Sequence, residues 1–513
     1  MLLKIAKNTP AIQLTGKLKD KIHGMVELTD LEKSVINSVE FQRLRRLGQT
    51  SFTKYVFPGS AHSRFEHSIG VMHLITLMIS HLLSNQGEFI NKCKSAQDVT
   101  DACKAILETE KGIQVIKSEN NLIQILRLAG LLHDIGHGPF SHSGEQFMTT
   151  LEEFYKNLDS LKIPHWLKAA FQKRKERLVK KGTNLKVTRI KHEVYSLMII
   201  SRLLSRYDEN LAQDVCCVLD ECVEASKGSY LEKYGIRTLF NEMVSGEIDA
   251  DRMDYLLRDS KECGVIYGIF DLGRVLSSIG MYYSFEDKSL HLMVKRSGLP
   301  SFEDFLRARI SMYQQVYFHK TSSACEAMFK HLGKILSNFK LPLDLESYIR
   351  YDDTSFYYLL RDSALYENDA QKSLVLNLLE NLLEKRQFWK RVYEENIQKR
   401  VENETQSLCP YVLNYLEKKG HRAESIENRT TLTNMRPNYS KSSNKLKVFT
   451  KKMDTSFSLE PIEAHSELVN RLDMDTVIRR VFVECENQDE KEDIKRMLYK
   501  DIIQAPSKKL KLS

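Results

Sequence analysis

The chain reads as a mostly α-helical protein. Leu, Ile and Met recur at helical intervals through most of its 513 residues, and the alternating Val/Thr pattern of half-buried strands is rare. The sharpest example is the run from Leu122 to Leu132, where Leu122, Ile125, Leu126, Ala129 and Leu132 form the stripe of one buried helix. A chain of this length exceeds one simple core, so two or three domains are expected. Its net charge of +8 admits anionic partners without demanding them. Nine cysteines, scattered and without a CxxC pair, argue for reduced thiols rather than a disulfide framework or a thiolate zinc site. That usage points to the cytoplasm, with the nucleus left open. The longest apolar run, near Leu74 to Leu83, contains His81 and is too short to span a bilayer. Met1-Leu2-Leu3-Lys4 lacks a signal-peptide core, so no membrane partner is expected.

In chain order, Thr29 and Asp30 are candidate caps of a helix reaching Arg46. It ends in Arg43, Arg45 and Arg46, where cations suit the carbonyl end. Gln49 to Ser63, rich in Gly, Pro and Ser, is a loop. A helix from Arg64 to Leu83 follows, with Arg64 and His67 three residues apart on one face. The helix of residues 122–132 delivers His133 and Asp134 at its end, where Gly136, Gly138 and Pro139 break it; His137 and His142 follow at once. Residues 151–190 form a basic helical insertion, dense from Lys173 to Arg189, which is either a solvated face or a nucleic-acid contact. His192 opens another apolar helix. Gly246 to Asp259 is a helix with Asp251, Asp254 and Arg258 on one polar face beside Met253 and Leu256. The core is expected over 1–335 and an α-rich extension over 336–425. A linker or loop over 426–457 and a small accessory element with a basic tail over 458–513 complete the chain.

A buried apolar helix has no structural use for adjacent imidazole and carboxylate groups, since burying them unpaired costs several kcal/mol. A divalent metal resolves that problem, because both are its usual N/O ligands. Adding His67 and an acidic residue of the later helix, best placed at Asp251, gives four candidate ligands: His67, His133, Asp134 and Asp251.

This His…His-Asp…Asp order resembles the HD-domain metal phosphohydrolases. More narrowly, the chain is similar to the deoxynucleoside triphosphate triphosphohydrolases related to the SAM-and-HD-domain protein. The matching blocks include Ile22-His23-Gly24, Phe41-Gln42-Arg43-Leu44-Arg45, Arg64-Phe65-Glu66-His67-Ser68, the run from His133 to His142, Ile248-Asp249-Ala250-Asp251 and Tyr317-Phe318-His319-Lys320. The resemblance implies an HD-type helical core and one divalent transition metal (Fe, Mn or Zn) on the four ligands, with Mg²⁺ on the nucleotide. It implies hydrolysis of a dNTP to deoxynucleoside and inorganic triphosphate. Arg64 would contact the α-phosphate, and His142 would protonate the departing 5′-oxygen. Glu145 and His192 would orient and tune that acid, and His137 would lie in the same pocket. Arg252, Arg309 and Lys320 would contact phosphates; Gln49, Tyr255, Asp259 and Tyr317 would line the sugar end. Gln42 and Arg45 match an activator-nucleotide site, although Asn37 stands where an Asp is expected. Thr50 and Tyr313 also depart from the family pattern. A homo-oligomer, dimer or tetramer, is implied by resemblance. Two rivals stand beside this reading: an HD-type nuclease or phosphodiesterase using the basic insertion on nucleic acid, and a non-catalytic binder with the same fold.

Overall fold

The computed structural model describes residues 12–362, 366, 368–399, 407–430, 446–472 and 475–503. The site is built by six helices: α1 (Arg64–Lys94), α2 (Asn120–Leu132), α3 (His192–Leu204), α4 (Ala250–Cys263), α5 (Leu299–Met312) and α6 (Lys320–Ile335). α2 is the central rod. Besides the expected stripe, Ile123, Leu128 and Leu131 are also buried, so the helix is covered on every side, with α1 and the helix Glu209–Leu219 against it. α1 starts in a capping box between Ser63 and Glu66, and α4 packs across it.

Among the described residues, nine strands flank the helices. β1 (Gly16–Asp20) and β2 (Gly24–Leu28) form an antiparallel hairpin. β3 (Ile279–Ser284), β4 (Ser289–Lys295), β7 (Lys447–Lys451) and β8 (Phe457–Pro461) make a four-stranded sheet in which β4 and β7 run parallel. β5 (Lys390–Lys399), β9 (Asp475–Val483) and β6 (Ala423–Thr430) make an antiparallel sheet in that spatial order. One apolar core runs from Val26 through Leu336, Tyr348 and Phe356 to Phe482. A smaller one lies under β5–β9–β6, where Val392, Val481 and Val483 meet Val412, Leu416, Ile494 and Leu498. All nine cysteines are free and most are buried.

Several sequence expectations are corrected. The helix expected from Asp30 to Arg46 is broken: it runs Asp30–Ile36 behind the Thr29/Glu32 capping box, then restarts at Val39 because Ser38 caps the Phe41 amide. The C-terminal part is α-rich but carries five strands, and both ends of the stretch expected as linker (426–457) are strand. Residues 431–445 and the basic tail lie outside the described residues. The core and the β4–β7 pairing both cross residue 335, so packing shows no break there. α1 has 31 residues and is the one described helix long and apolar enough to cross a membrane, contrary to the run being too short; 67% of its most apolar window is buried inside the protein.

One buried ion pair ties the helix Asp30–Ile36, which follows the N-terminal hairpin, to α2. Arg127 grips both oxygens of Glu32 at 2.7 Å, Gln124 donates to the same carboxylate at 2.8 Å, and Arg127 also donates to the Glu27 carbonyl. Breaking such a pair leaves an uncompensated charge inside. Arg127→Met should therefore lower unfolding free energy by about 3–5 kcal/mol in a denaturant titration. Adding Glu32→Met should restore most of that loss. A single variant as stable as wild type would show that the pair does not hold the Asp30–Ile36 helix to α2.

Candidate metal and phosphate site

α2 ends where the chemistry begins. His133 caps the helix with helical backbone, Asp134 follows in the turn beyond it, and the chain continues through Gly136 and Gly138. A Cβ on Gly136 would lie 2.1 Å from the Ser196 nitrogen and 2.3 Å from the His192 carbonyl, so only glycine lets this turn rest on α3. Fully buried Arg43 donates to the carbonyls of Ile135 (2.9 Å) and His137 (2.7 Å), and the Tyr348 hydroxyl donates to that of Gly136 (2.7 Å). Arg43 is thus the clamp of this turn rather than a cation at a helix end. Phe140 and Ser141 both adopt positive φ (56° and 51°), held by Asp353 accepting the Phe140 amide and by Ser141 Oγ donating to the Gly48 carbonyl.

The four expected ligands converge. His67 Nε2 lies 3.0 Å from Asp251 Oδ1 and 3.8 Å from Asp134 Oδ2. His133 Nε2 lies 3.5 Å from Asp134 Oδ1 and 3.7 Å from Asp251 Oδ1. The other nitrogen of each ring is engaged: His67 Nδ1 donates to Asp254 Oδ2 (2.8 Å), and His133 Nδ1 donates to the Gly130 carbonyl (2.8 Å). Both Nε2 lone pairs therefore face the carboxylates, buried and without a hydrogen-bond partner. The ligand atoms of His67, His133 and Asp251 lie within 4.8 Å of one another. Asp134 also accepts from Arg64 Nη1.

Electrostatics favour a cation here. Burial alone depresses the His67 imidazole, but Asp251 and Asp254 overcome it and lift the pKa to about 10. Burial raises Asp134, yet His133, Arg64 and His137 hold it well below the usual carboxylate range. These residues fit a divalent ion: two inward imidazole nitrogens, two ionised carboxylates and fixed tautomers.

Asp254 and His23, to which sequence reasoning gave no role, stand directly behind His67. Asp254, fully buried, accepts from His67, from His23 Nε2 (2.6 Å) and from Arg258 (2.8 and 2.9 Å). Arg258 continues to Asp20 (3.1 Å), and Asp20 accepts the His23 amide. The polar face expected on this helix is thus buried where it meets α1. The available signal was Gly70, a glycine inside a long helix, where a Cβ would lie 1.9 Å from Asp254 Oδ1.

Beside the cation cluster, His142 and His192 both donate through Nδ1 to Glu145 Oε1, at 3.2 and 2.7 Å, and His137 stacks on His192 at 3.6 Å. Burial pushes the Glu145 carboxyl up, but the two imidazoles hold it far below its usual range. His142 is itself exposed to the cavity. That cavity, about 560 Å³, is also lined by Gln49, Arg64, Arg252, Tyr255, Asp259, Arg309 and Tyr317. Arg64 donates to Ser141 Oγ (3.0 Å) and Tyr317 to Asp259 (2.6 Å), whose other oxygen accepts from His62 (2.7 Å). Gln49 Oε1 is buried without a partner. Arg252 is drawn back to Asp249, Glu247 and the Gly246 carbonyl. Lys320 is not among the cavity's lining: it is exposed and lines a separate depression with Arg386 and Trp389. Gln42 and Arg45 form a surface pair, with Arg45 stacked over Phe65 at 3.4 Å.

Two family profiles match this chain, the HD domain over residues 64–259 and the HD associated region over 270–505. The chain belongs to the HD-domain family. The HD domain contains all four converging ligands. The chain is 28% identical over 364 residues to an uncharacterized protein of Methanocaldococcus jannaschii, covering 71% of this chain and 59% of that one. Against the uncharacterized protein YwfO of Bacillus subtilis it is 27% identical over 365 residues, covering 66% and 64%. Against the deoxynucleoside triphosphate triphosphohydrolase SAMHD1 of Homo sapiens it is 27% identical over 321 residues, covering 61% and 43%. The matches thus span less than two thirds of each of these relatives. Two solved structures share the fold. A hypothetical protein from Aquifex aeolicus has a TM-score of 0.57 at 23% identity, covering 94% of this chain and 99% of that one. A phosphohydrolase from Bacteroides thetaiotaomicron has 0.55 at 21%, covering 92% and 100%.

The close approach at Gly70 gives a matched pair of variants. Gly70→Ala should drive Asp254 off His67 and weaken divalent-metal affinity about 10–100-fold by chelator competition. Gly87→Ala, in the same helix with nothing within 4 Å of its Cβ, should leave affinity unchanged and stabilise the helix by up to about 1 kcal/mol. Equal affinities in the two variants would remove Asp254 from the metal account.

Proposed function

We propose that this HD-domain phosphohydrolase cleaves deoxynucleoside triphosphates to deoxynucleoside and inorganic triphosphate. The observation that carries this reading is one cavity that joins the cation cluster to the Asp259–Tyr317 wall, with the Glu145-linked imidazoles alongside. Its volume, about 560 Å³, lies within the range that encloses small ligands. The similarity to SAMHD1, a deoxynucleoside triphosphate triphosphohydrolase, supports this reading.

His67, His133, Asp134 and Asp251 would hold the ion, with Fe, Mn or Zn suited to that donor set. When bound, it supplies Lewis acidity toward phosphate and an acidified water. Arg64, a planar fork already fixed by Ser141, binds a non-bridging α-phosphate oxygen and takes up charge as it develops. His142, when it carries a proton on each ring nitrogen, donates the Nε2 proton to the departing 5′-oxygen and keeps the one on Nδ1, where Glu145 accepts it and orients the ring. His192, on the same carboxylate, fixes the Glu145 oxygen in place. Asp259, held by His62 and Tyr317, meets the sugar. Arg309 offers a further phosphate contact, and Gln49 Oε1 has acceptor capacity toward a sugar hydroxyl.

The nuclease reading has less support. Lys173, Arg174 and Arg177 of the basic insertion are paired with Glu224, Asp220 and Glu221, which spends their charge locally.

Incubating the purified protein with each dNTP and NTP plus Mn²⁺ or Mg²⁺ tests the reaction class. Deoxynucleoside and tripolyphosphate are the expected products; pyrophosphate with monophosphate, or cleavage of an oligonucleotide alone, would replace this reading. His133→Ala and Asp251→Ala should each abolish turnover, a loss of at least about 10³-fold given how much a metal contributes, while circular dichroism stays native. A variant retaining near wild-type rate would strike that residue from the ligand set.

A further inference from the structure

One carboxylate in the cavity is used by nothing so far described. Glu326, on α6, lines the same space as Arg64, Arg309 and Tyr317. The other acids there are accounted for. Asp134 and Asp251 belong to the cation cluster, and both oxygens of Asp259 accept from His62 and Tyr317. Asp220 accepts from Arg174 and from the Cys222 amide, and Glu193 is exposed. Glu326 is half-buried and accepts from the side-chain amide of Asn428 on β6. The nearby cation, Arg480 on β9, is committed elsewhere, donating to Glu394 (2.6 Å), to the Phe318 carbonyl (2.7 Å) and to Ser323 (3.1 Å). A carboxylate has about four acceptor positions, so Glu326 keeps capacity for further donors.

A polyphosphate cannot lie against this group, because like charges in a sheltered cavity repel. It would lie instead along Arg64 and Arg309, the cavity's cations beside the cluster, which would leave Glu326 to the other end of the nucleotide. Two side-by-side carboxylate oxygens match two parallel N–H donors. Guanine presents that pair, N1–H and the 2-amino group. Adenine and cytosine set a donor beside an acceptor, and thymine sets one donor between two acceptors.

We propose that Glu326 reads the base of the bound nucleotide and selects guanine through its N1–H and 2-amino donors. This rests on the nucleotide reading of the cavity given above. Burial pushes the Glu326 carboxyl up to about 7, against the pull of Asn428 and Arg480, so the group is short of donors and gains from a base that brings two.

Deoxyguanosine and deoxyinosine triphosphates differ only by the 2-amino group, so they test the contact without altering the protein. Titrated calorimetrically at pH 8 in chelator, dGTP should bind wild type about tenfold tighter than dITP, the scale of a good bidentate base contact. Glu326→Gln should shrink that ratio below about threefold. Equal affinity of wild type for the two, or dATP binding as tightly as dGTP, overturns the base reading. A dGTP preference in binding, with no dNTP turned over in Mn²⁺ or Mg²⁺, removes the proposed reaction and leaves the base reading standing. Turnover with dGTP and dITP indistinguishable does the reverse, and failure of both nucleotides to bind overturns both.

Discussion

The hydrogen bond from His67 Nδ1 to Asp254 is the constraint on which the rest of the site depends. It decides which nitrogen of His67 carries a proton, and so which one is free to take a cation. Asp254 can sit there ionised only because Arg258 and His23 satisfy its remaining lone pairs, and Arg258 in turn needs Asp20. A carboxylate with no exposed surface would otherwise take a proton, and an unpaired guanidinium beside it would be expensive. Three separated stretches, the N-terminal hairpin, α1 and α4, are therefore joined through one acid. The hairpin, which looks peripheral by position, is part of the metal site's support.

A similar economy governs the turn after α2. Its geometry departs from ordinary backbone at Phe140 and Ser141, and those torsions survive because Arg43, Tyr348 and Asp353 hold the carbonyls and amide around them. None of these three touches the cation cluster. They set where His137 and His142 lie relative to His133, which places the imidazole trio beside the cation cluster.

What the sequence disclosed and what it hid follow from range. The His133-Asp134 pair was conspicuous because a buried apolar helix ended in groups that need partners. His67 and Asp251 joined it through helical spacing and family resemblance, and the Thr29 cap was legible in its own dipeptide. The role of Arg43 was invisible, because a basic cluster at a helix end has a sufficient local explanation, and its real partners lie about ninety residues away. Lys320 sits beside Tyr317 in sequence, but one is exposed on another depression while the other lines the cavity. The C-terminal strands were missed for a different reason. Val477-Ile478-Arg479-Arg480-Val481-Phe482-Val483 carries a β-branched signal, but charged neighbours mask its alternation, and the pairing that makes it a strand comes from β5 and β6.

The parallel pairing of β4 with β7 has a consequence for how this molecule comes into being. Val294 meets Val448 in register, and Phe449 beside it packs on Phe89 of α1. Until that late segment arrives, the β3–β4 hairpin has an open hydrogen-bonding edge and α1 lacks a patch of its cover. Contacts of such long sequence separation are slow to form, because loop closure precedes any gain from burial. During synthesis the β3–β4 hairpin and α1 therefore wait, incompletely covered, for a strand about 150 residues beyond β4. A chain truncated before that strand would leave the β4 edge unpaired, and an unpaired edge is a template for pairing with another chain.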